Sequence, residues 1–196
     1  MNVETLFTTP IFHQFIDIDL DNLTDYCLRL YGQSEGRKKS NKLGWQSNDI
    51  QDDEEIQFLI NKLNIELEHI KQHSNISDDR SIRVSNMWVN VNKKYSYNAP
   101  HIHSGSFFSG VFYVRVPENS GRINFENPSS LQKIFIQSYK NHLKNYNQFS
   151  AYSWTYDPRP NMMLVFPSWI EHNVEQNLSD HDRISIAFNT QIYIDK

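Results

Sequence analysis

Ile82-Arg83-Val84-Ser85-Asn86-Met87-Trp88-Val89-Asn90-Val91-Asn92 decides the fold class. Its residues alternate with a period of two, the period of a strand in which neighbouring side chains point to opposite faces. The alternation predicts one face of Val84, Asn86, Trp88, Asn90 and Asn92, and another of Arg83, Ser85, Met87, Val89 and Val91. Downstream, the same period recurs in Ser109–Val116, Gly121–Phe125, Met162–Phe166 and Arg183–Tyr193, with Tyr152–Tyr156 as a further short strand.

Upstream the period changes. Asp19–Tyr31 carries Leu20, Leu23, Tyr26, Cys27 and Leu30 at helical spacing, and a second helix runs from a cap at Asp52 or Asp53 to about His73. Leu6–Ile18 reads as an edge strand bent at Pro10, and Gly32–Asn48 as a polar loop. Residues 127–160 form an insertion whose Leu131–Tyr146 part is expected to be helical. Two helices followed by many strands imply one mainly β, α+β domain over residues 1–196, with a sandwich or barrel core after residue 80.

The composition narrows the function classes. With 38% hydrophobic and 13% aromatic residues, the chain can bury a core rather than stay disordered. A net charge of −4 gives no general attraction for nucleic acid or anionic lipid, although Arg37, Lys38 and Lys39, near Lys42, form a local basic cluster. The lone Cys27 excludes an internal disulfide framework and fits a reducing compartment. The N-terminus has no signal-peptide pattern, and no apolar run is long enough to span a bilayer.

Histidines and an arginine carry the chemistry. If His101-Ile102-His103 is extended, both imidazoles share a face and can converge on one ion, with His172 as a third ligand from beyond the Met162–Phe166 strand. Arg183 and Ser185 share a face of the last strand, opposite Ile184 and Ile186. An arginine inside an apolar strand is costly unless it meets an anion, and its planar fork suits a carboxylate. The plainer alternatives are a surface histidine pair, an ordinary ion pair of Arg183 with Asp182, Asp180 or Glu171, and a core role for Tyr113.

These residues bring the chain close to a known family. It resembles the 2-oxoglutarate/Fe(II) oxygenases, in particular small bacterial and phage members with an HxH motif. The matching blocks are Trp88–Asn92, Asn98–His103, Ser109–Val114, Phe166–Val174 and Arg183–Asn189. The resemblance implies a double-stranded β-helix, a jelly-roll or cupin-like core, with the N-terminal helices packed on it. It further implies Fe(II) held by His101, His103 and His172, and 2-oxoglutarate as cosubstrate with O2, its far carboxylate on Arg183 beside Ser185, Asn90, Asn92 and Tyr113. The implied reaction hydroxylates a C–H bond of a small molecule or protein side chain and releases succinate and CO2. The implied location is the cytoplasm of a bacterial or phage-infected cell.

One departure matters, because most of that superfamily has Asp or Glu where this chain has His103. Glu126 and Asp157 lack the spacing to replace it. Three-histidine iron dioxygenases that do not use 2-oxoglutarate, and cupin-like modules without catalysis, are therefore the alternatives.

Overall fold

The computed structural model describes residues 1–195. Strand β1 (Phe12–Phe15) leads to helix α1 (Leu20–Gln33), which Asp19 caps by accepting the Asp21 N–H. Two short strands follow, β2 (Asn41–Lys42) and β3 (Trp45–Gln46), and then helix α2 (Gln57–His73), entered through a 3-10 turn capped by Asp53. The β region comprises β4 (Arg80–Asn92), β5 (Tyr97–His101), β6 (Phe108–Arg115), β7 (Ile123–Glu126), β8 (Ser153–Tyr156), β9 (Met162–Pro167), β10 (His172–Val174) and β11 (Arg183–Ile194), with α3 (Ser130–Tyr139) between β7 and β8.

These strands form two antiparallel sheets, ordered β1-β9-β6-β11-β4-β3 and β2-β5-β10-β7-β8. From β4 onward the chain alternates between the sheets except at β7 and β8, which pair with each other in the five-stranded sheet, and the result is a double-stranded β-helix. The outer face of the six-stranded sheet packs on α1 and α2, where Val89, Ile184, Ile186 and Phe188 meet Leu23, Leu59, Leu63 and Leu67, all buried. A second, smaller core lies between the sheets and includes Val111, Tyr113, Phe125, Leu164 and Phe166. Each strand therefore serves two different environments, which is why its period of two is so well marked.

Several expectations change. Val84 does not share the face of Trp88 and Asn90; it is buried with Met87, Val89 and Val91 under the helices. The cause is a bulge: Asn86 pairs with Asn189 but Val84 pairs with Thr190, so Ser85 is an extra residue and the parity flips across it. Residues 32–48 are not merely a loop, because β2 pairs with β5 and β3 with β4, stitching one segment to an edge of each sheet. His172 opens the short central strand β10, between β5 and β7. The insertion helix stops at Tyr139, gives one 3-10 turn at Lys140–His142, and continues irregularly. Of Leu6–Ile18, only Phe12–Phe15 pairs, as an edge strand on β9. Among the described residues no helix is long and apolar enough to cross a membrane.

Gly110 on β6 lies opposite Phe188 on β11, and a Cβ at Gly110 would enter the Phe188 ring. The aromatic ring uses the space that only glycine leaves. Gly110→Ala is expected to destabilise the chain by about 1–3 kcal/mol, the usual cost of overpacking a tight core. Urea unfolding of the variant against the parent chain measures it.

Candidate metal centre

At one end of the inter-sheet core, His101, His103 and His172 offer ring nitrogens that all lie within 4.8 Å of one another, close enough for one ion to bridge. Their rings crowd together, with centroids 5.1 Å apart for His101–His103, 4.3 Å for His101–His172 and 5.1 Å for His103–His172. His101 ends β5 and pairs directly across from His172 on β10. His103 lies just past the strand, and its N–H donates to the Ser168 carbonyl at 2.9 Å, which ties it to the turn before β10. The HxH pair thus converges through a strand end and a pinned turn, rather than along one continuous strand.

Each imidazole is held through Nδ1. That atom of His101 is 2.8 Å from the Ala99 carbonyl, that of His172 is 3.0 Å from the Ile170 carbonyl, and that of His103 is 2.7 Å from Asn189 Oδ1. A carbonyl oxygen only accepts, so each Nδ1 carries the proton and each Nε2 keeps its lone pair for the cavity. Ser109 also donates to Asn189 Oδ1, at 2.7 Å. Such outer hydrogen bonds orient metal-binding histidines and set their tautomer. The His103 Nε2 is buried without a hydrogen-bond partner, as expected of an atom that awaits a ligand.

Electrostatics favour the same state. Burial, and then the neighbouring imidazoles, push the His172 pKa down to about 3. Burial pushes His103 down to about 4, against the Asn189 bond, which favours the charged ring. His101 is lowered too, by burial. All three are neutral at neutral pH, the form in which imidazole binds a metal. No carboxylate joins them among the described residues: Glu126 lies 3.4 Å from Lys133, outside the cluster.

The same cavity is lined by Asn90, Tyr113, Arg183 and Ser185. The parity of β11 turns Arg183 and Ser185 inward while Ile184 and Ile186 enter the helix-side core. Arg183 is 1% exposed and forms no ion pair with Asp182, Asp180 or Glu171; Asp180 instead pairs with Lys94 at 2.6 Å. The Arg183 Nη1 donates to the carbonyls of Ser120, at 2.6 Å, and Gly121, at 3.3 Å, and its Nε has no partner. Burial lowers its pKa, yet a guanidinium stays charged in proteins. A buried charge with no ion-pair partner is costly. Burial raises Tyr113 to about 12, so its hydroxyl remains a donor at neutral pH.

Asn92 is one step back, donating to Asn98, which does line the cavity. Asn90 Oδ1 is buried and unpartnered. Sequence reasoning passed over three participants. Asn189 was legible, since it continues the inward parity of Arg183 and Ser185. Asn98 and Ser40 carried no periodic signal; Ser40 Oγ lies 3.4 Å from His101 Nε2 and comes from the segment taken for a loop. Trp88 stacks on His103 at 5.7 Å and forms the cavity wall.

Comparison with known proteins agrees with this geometry. Residues 86–189, just over half of the chain, match the family model described as "Putative 2OG-Fe(II) oxygenase". The chain belongs to this family. The family is the one its HxH, distal histidine and Arg-x-Ser blocks resemble, and its cofactors are Fe(II) and 2-oxoglutarate. Similar solved structures include a Pseudomonas putida prolyl-4-hydroxylase, 12% identical, with a TM-score of 0.65 over 94% of this chain and 93% of that one. Another is the epimerase SnoN in complex with Fe3+, alpha ketoglutarate and nogalamycin RO, 14% identical, with a TM-score of 0.66 over 95% and 81% of the two chains. The viral collagen prolyl hydroxylase of Paramecium Bursaria Chlorella virus-1 is 11% identical, with a TM-score of 0.56 over 91% and 94%. At these identities the likeness is one of fold. No curated protein sequence matches the chain.

The depressed histidine pKa values fix the sign of a pH effect. An unfolded imidazole takes a proton near pH 6.5, whereas in the folded chain His103 resists it to about pH 4 and His172 to about pH 3. The unfolded state then binds more protons, so stability falls as pH drops below about 6.5. The chelator-treated chain is expected to melt at a lower temperature at pH 5 than at pH 7, with a smaller difference in His172→Asn. Calorimetry at the two pH values checks this.

Proposed function

We propose that the chain is an Fe(II)- and 2-oxoglutarate-dependent dioxygenase that hydroxylates a C–H bond of its substrate, with release of succinate and CO2. The observation that carries this reading is Arg183, a buried guanidinium without an acid partner, in the same cavity as three neutral, tautomer-fixed imidazoles. A metal cluster alone is compatible with many reactions. A charged fork inside the same small space asks for a carboxylate as well.

In this reading His101, His103 and His172 would hold the iron. Bound iron would, with 2-oxoglutarate, supply the oxidative chemistry of the reaction. Arg183 receives the far carboxylate, and the hydroxyls of Ser185 and Tyr113 donate to it. The Ser120 and Gly121 carbonyls hold the guanidinium in place without neutralising it. Asn90 supplies a polar contact along the cosubstrate, and Asn92 steadies Asn98 from behind. Trp88 and Phe166 wall off water. With no carboxylate among the ligands, a metal-loaded centre together with Arg183 would be strongly positive, and a dianion would offset that charge.

The all-imidazole ligand set favours one other reading, an iron dioxygenase that dispenses with 2-oxoglutarate. The two differ in a single measurement. For the proposed function, 2-oxoglutarate raises the melting temperature of the Mn(II)-loaded chain under exclusion of iron chemistry. No shift at millimolar 2-oxoglutarate would favour the alternative.

Two variants divide the site. His172→Ala is expected to lose metal binding, read by calorimetric titration with Mn(II), and with it succinate formation in the Fe(II)-loaded chain. Arg183→Lys keeps the charge but not the fork, and is expected to retain metal while weakening 2-oxoglutarate binding by about 10–100-fold. Equal loss of metal and cosubstrate in Arg183→Lys would contradict the division of labour.

A further inference from the structure

The proposed reaction leaves its substrate open, and the rim of the cavity bears on it. Residues 37–42, Arg37-Lys38-Lys39-Ser40-Asn41-Lys42, place four exposed cations in six positions of a chain whose net charge is −4. None of the four side chains makes an ion pair or hydrogen bond among the described residues, and Glu35, the nearest acid in sequence, pairs with none of them. Elsewhere on the surface Arg29, Lys94 and Arg122 are matched with acids, while Lys62, Arg115, Lys140, Lys144 and Arg159 are not, so the basic segment is set apart by its density and its place beside the cavity. A group of like charges without counter-ions repels itself, and persists at a cost unless something anionic visits it.

Its backbone is fixed beside the metal centre. Asn41 is buried and donates through Nδ2 to the carbonyls of Arg37 and Gly44, both at 3.0 Å, while its Oδ1 accepts the Lys39 N–H at 2.7 Å. The Arg37 N–H donates to the Gln46 carbonyl at 2.7 Å, and the Ser40 carbonyl accepts from the Ala99 N–H at 3.0 Å. Ser40 itself lines the cavity, with its hydroxyl 3.4 Å from His101 Nε2. Lys39 is therefore one residue from the centre, on a segment held at both ends.

The cavity encloses only about 60 Å³, below the few hundred cubic ångströms usual for a whole drug-sized ligand. A substrate must present one group there and leave the rest of itself outside. Exposed apolar side chains stand next to the ligand positions in the chain: Ile102, between His101 and His103, is 51% exposed, and Trp169, three residues before His172, is 54% exposed. Cations beside so small a cavity, with exposed apolar residues close in the chain to the metal-site histidines, suit a peptide with acidic and apolar residues. A nucleic acid would lay a long phosphate backbone against an otherwise acidic molecule.

We propose that the basic segment 37–42 is a substrate-docking rim that selects an acidic peptide segment, one of whose side chains enters the iron centre. This rests on the oxygenase reading above for the chemistry, though the docking itself can be read separately.

The test uses the full chain loaded with Mn(II) and 2-oxoglutarate. Three fluorescein-labelled probes of equal length are followed by anisotropy: a Glu/Leu peptide, a Lys/Leu peptide and oligo(dT). The Glu/Leu peptide is expected to bind best, to weaken as salt is raised from 50 to 300 mM, and to lose about tenfold or more in affinity in Lys38→Glu/Lys39→Glu. Unchanged affinity in that variant, tighter binding of the Lys/Leu peptide, or tighter binding of oligo(dT) would overturn the proposal. The salt dependence of the parent chain needs no variant, so the proposal stays open to refutation if the double substitution fails to fold. The 2-oxoglutarate thermal shift is read on the same samples. Its retention in the variant shows an intact centre, and its absence in the parent chain refutes the oxygenase reading independently of peptide binding.

Discussion

The two-residue period of β11 is the constraint on which the rest depends. This strand lies inside the six-stranded sheet, paired with β4 on one side and β6 on the other. Ile184, Ile186 and Phe188 enter the core beneath α1 and α2. The alternate residues Arg183, Ser185, Ala187 and Asn189 must then face the other sheet. A slip of one residue would put a guanidinium among leucines and isoleucines, an outcome that desolvation forbids. The apolar half of the strand therefore sets the register, and the polar half is delivered to the cavity by that register. Asn189 then fixes the His103 tautomer, and Arg183 supplies the buried charge.

The second sheet contributes the metal-binding side by a different device. Its strands β5 and β10 are short, and their value lies in pairing His101 directly opposite His172. Main-chain carbonyls two residues upstream, of Ala99 and Ile170, accept from these two imidazoles. His101 is thus oriented by its own strand and His172 by the turn that leads into β10, and only His103 needs help from the opposite sheet. The centre is built across the sandwich, so its geometry depends on the packing of the inner core of Phe125, Leu164 and Phe166. Phe166 and Phe125 also lie against His172, at 4.6 and 5.9 Å between centroids, and supply the burial that keeps it neutral.

Substituting an imidazole for the carboxylate usual at the position of His103 changes the charge balance. Three neutral rings and a buried guanidinium leave no negative charge of the protein's own in the cavity. The site must take its anions from outside, and the unmatched cations of residues 37–42 extend the same sign to the rim. Cations without an ion-pair partner thus stand both in the segment beside the cavity and within it, in a chain that is acidic as a whole.

Much of this was legible in the residues. Alternation in Ile82–Asn92 and Arg183–Tyr193 determined the long central strands, helical spacing determined α1 and α2, and a cap at Asp52 or Asp53 marked the approach to the second helix, which the structure enters through a 3-10 turn capped by Asp53. The set His101, His103, His172, Arg183 and Ser185 could be assembled because metal and carboxylate chemistry need those side chains in that order. Tertiary structure alone decided the remainder. The bulge at Ser85 reverses a face that strict alternation would extend, since an extra residue obeys the pairing strand rather than its own period. The strands β2, β3 and β10 are too short to show any period, and exist because longer neighbours offer them hydrogen bonds. Ser40 and Asn98 reach the cavity by those pairings, across distances in the chain that no local pattern spans.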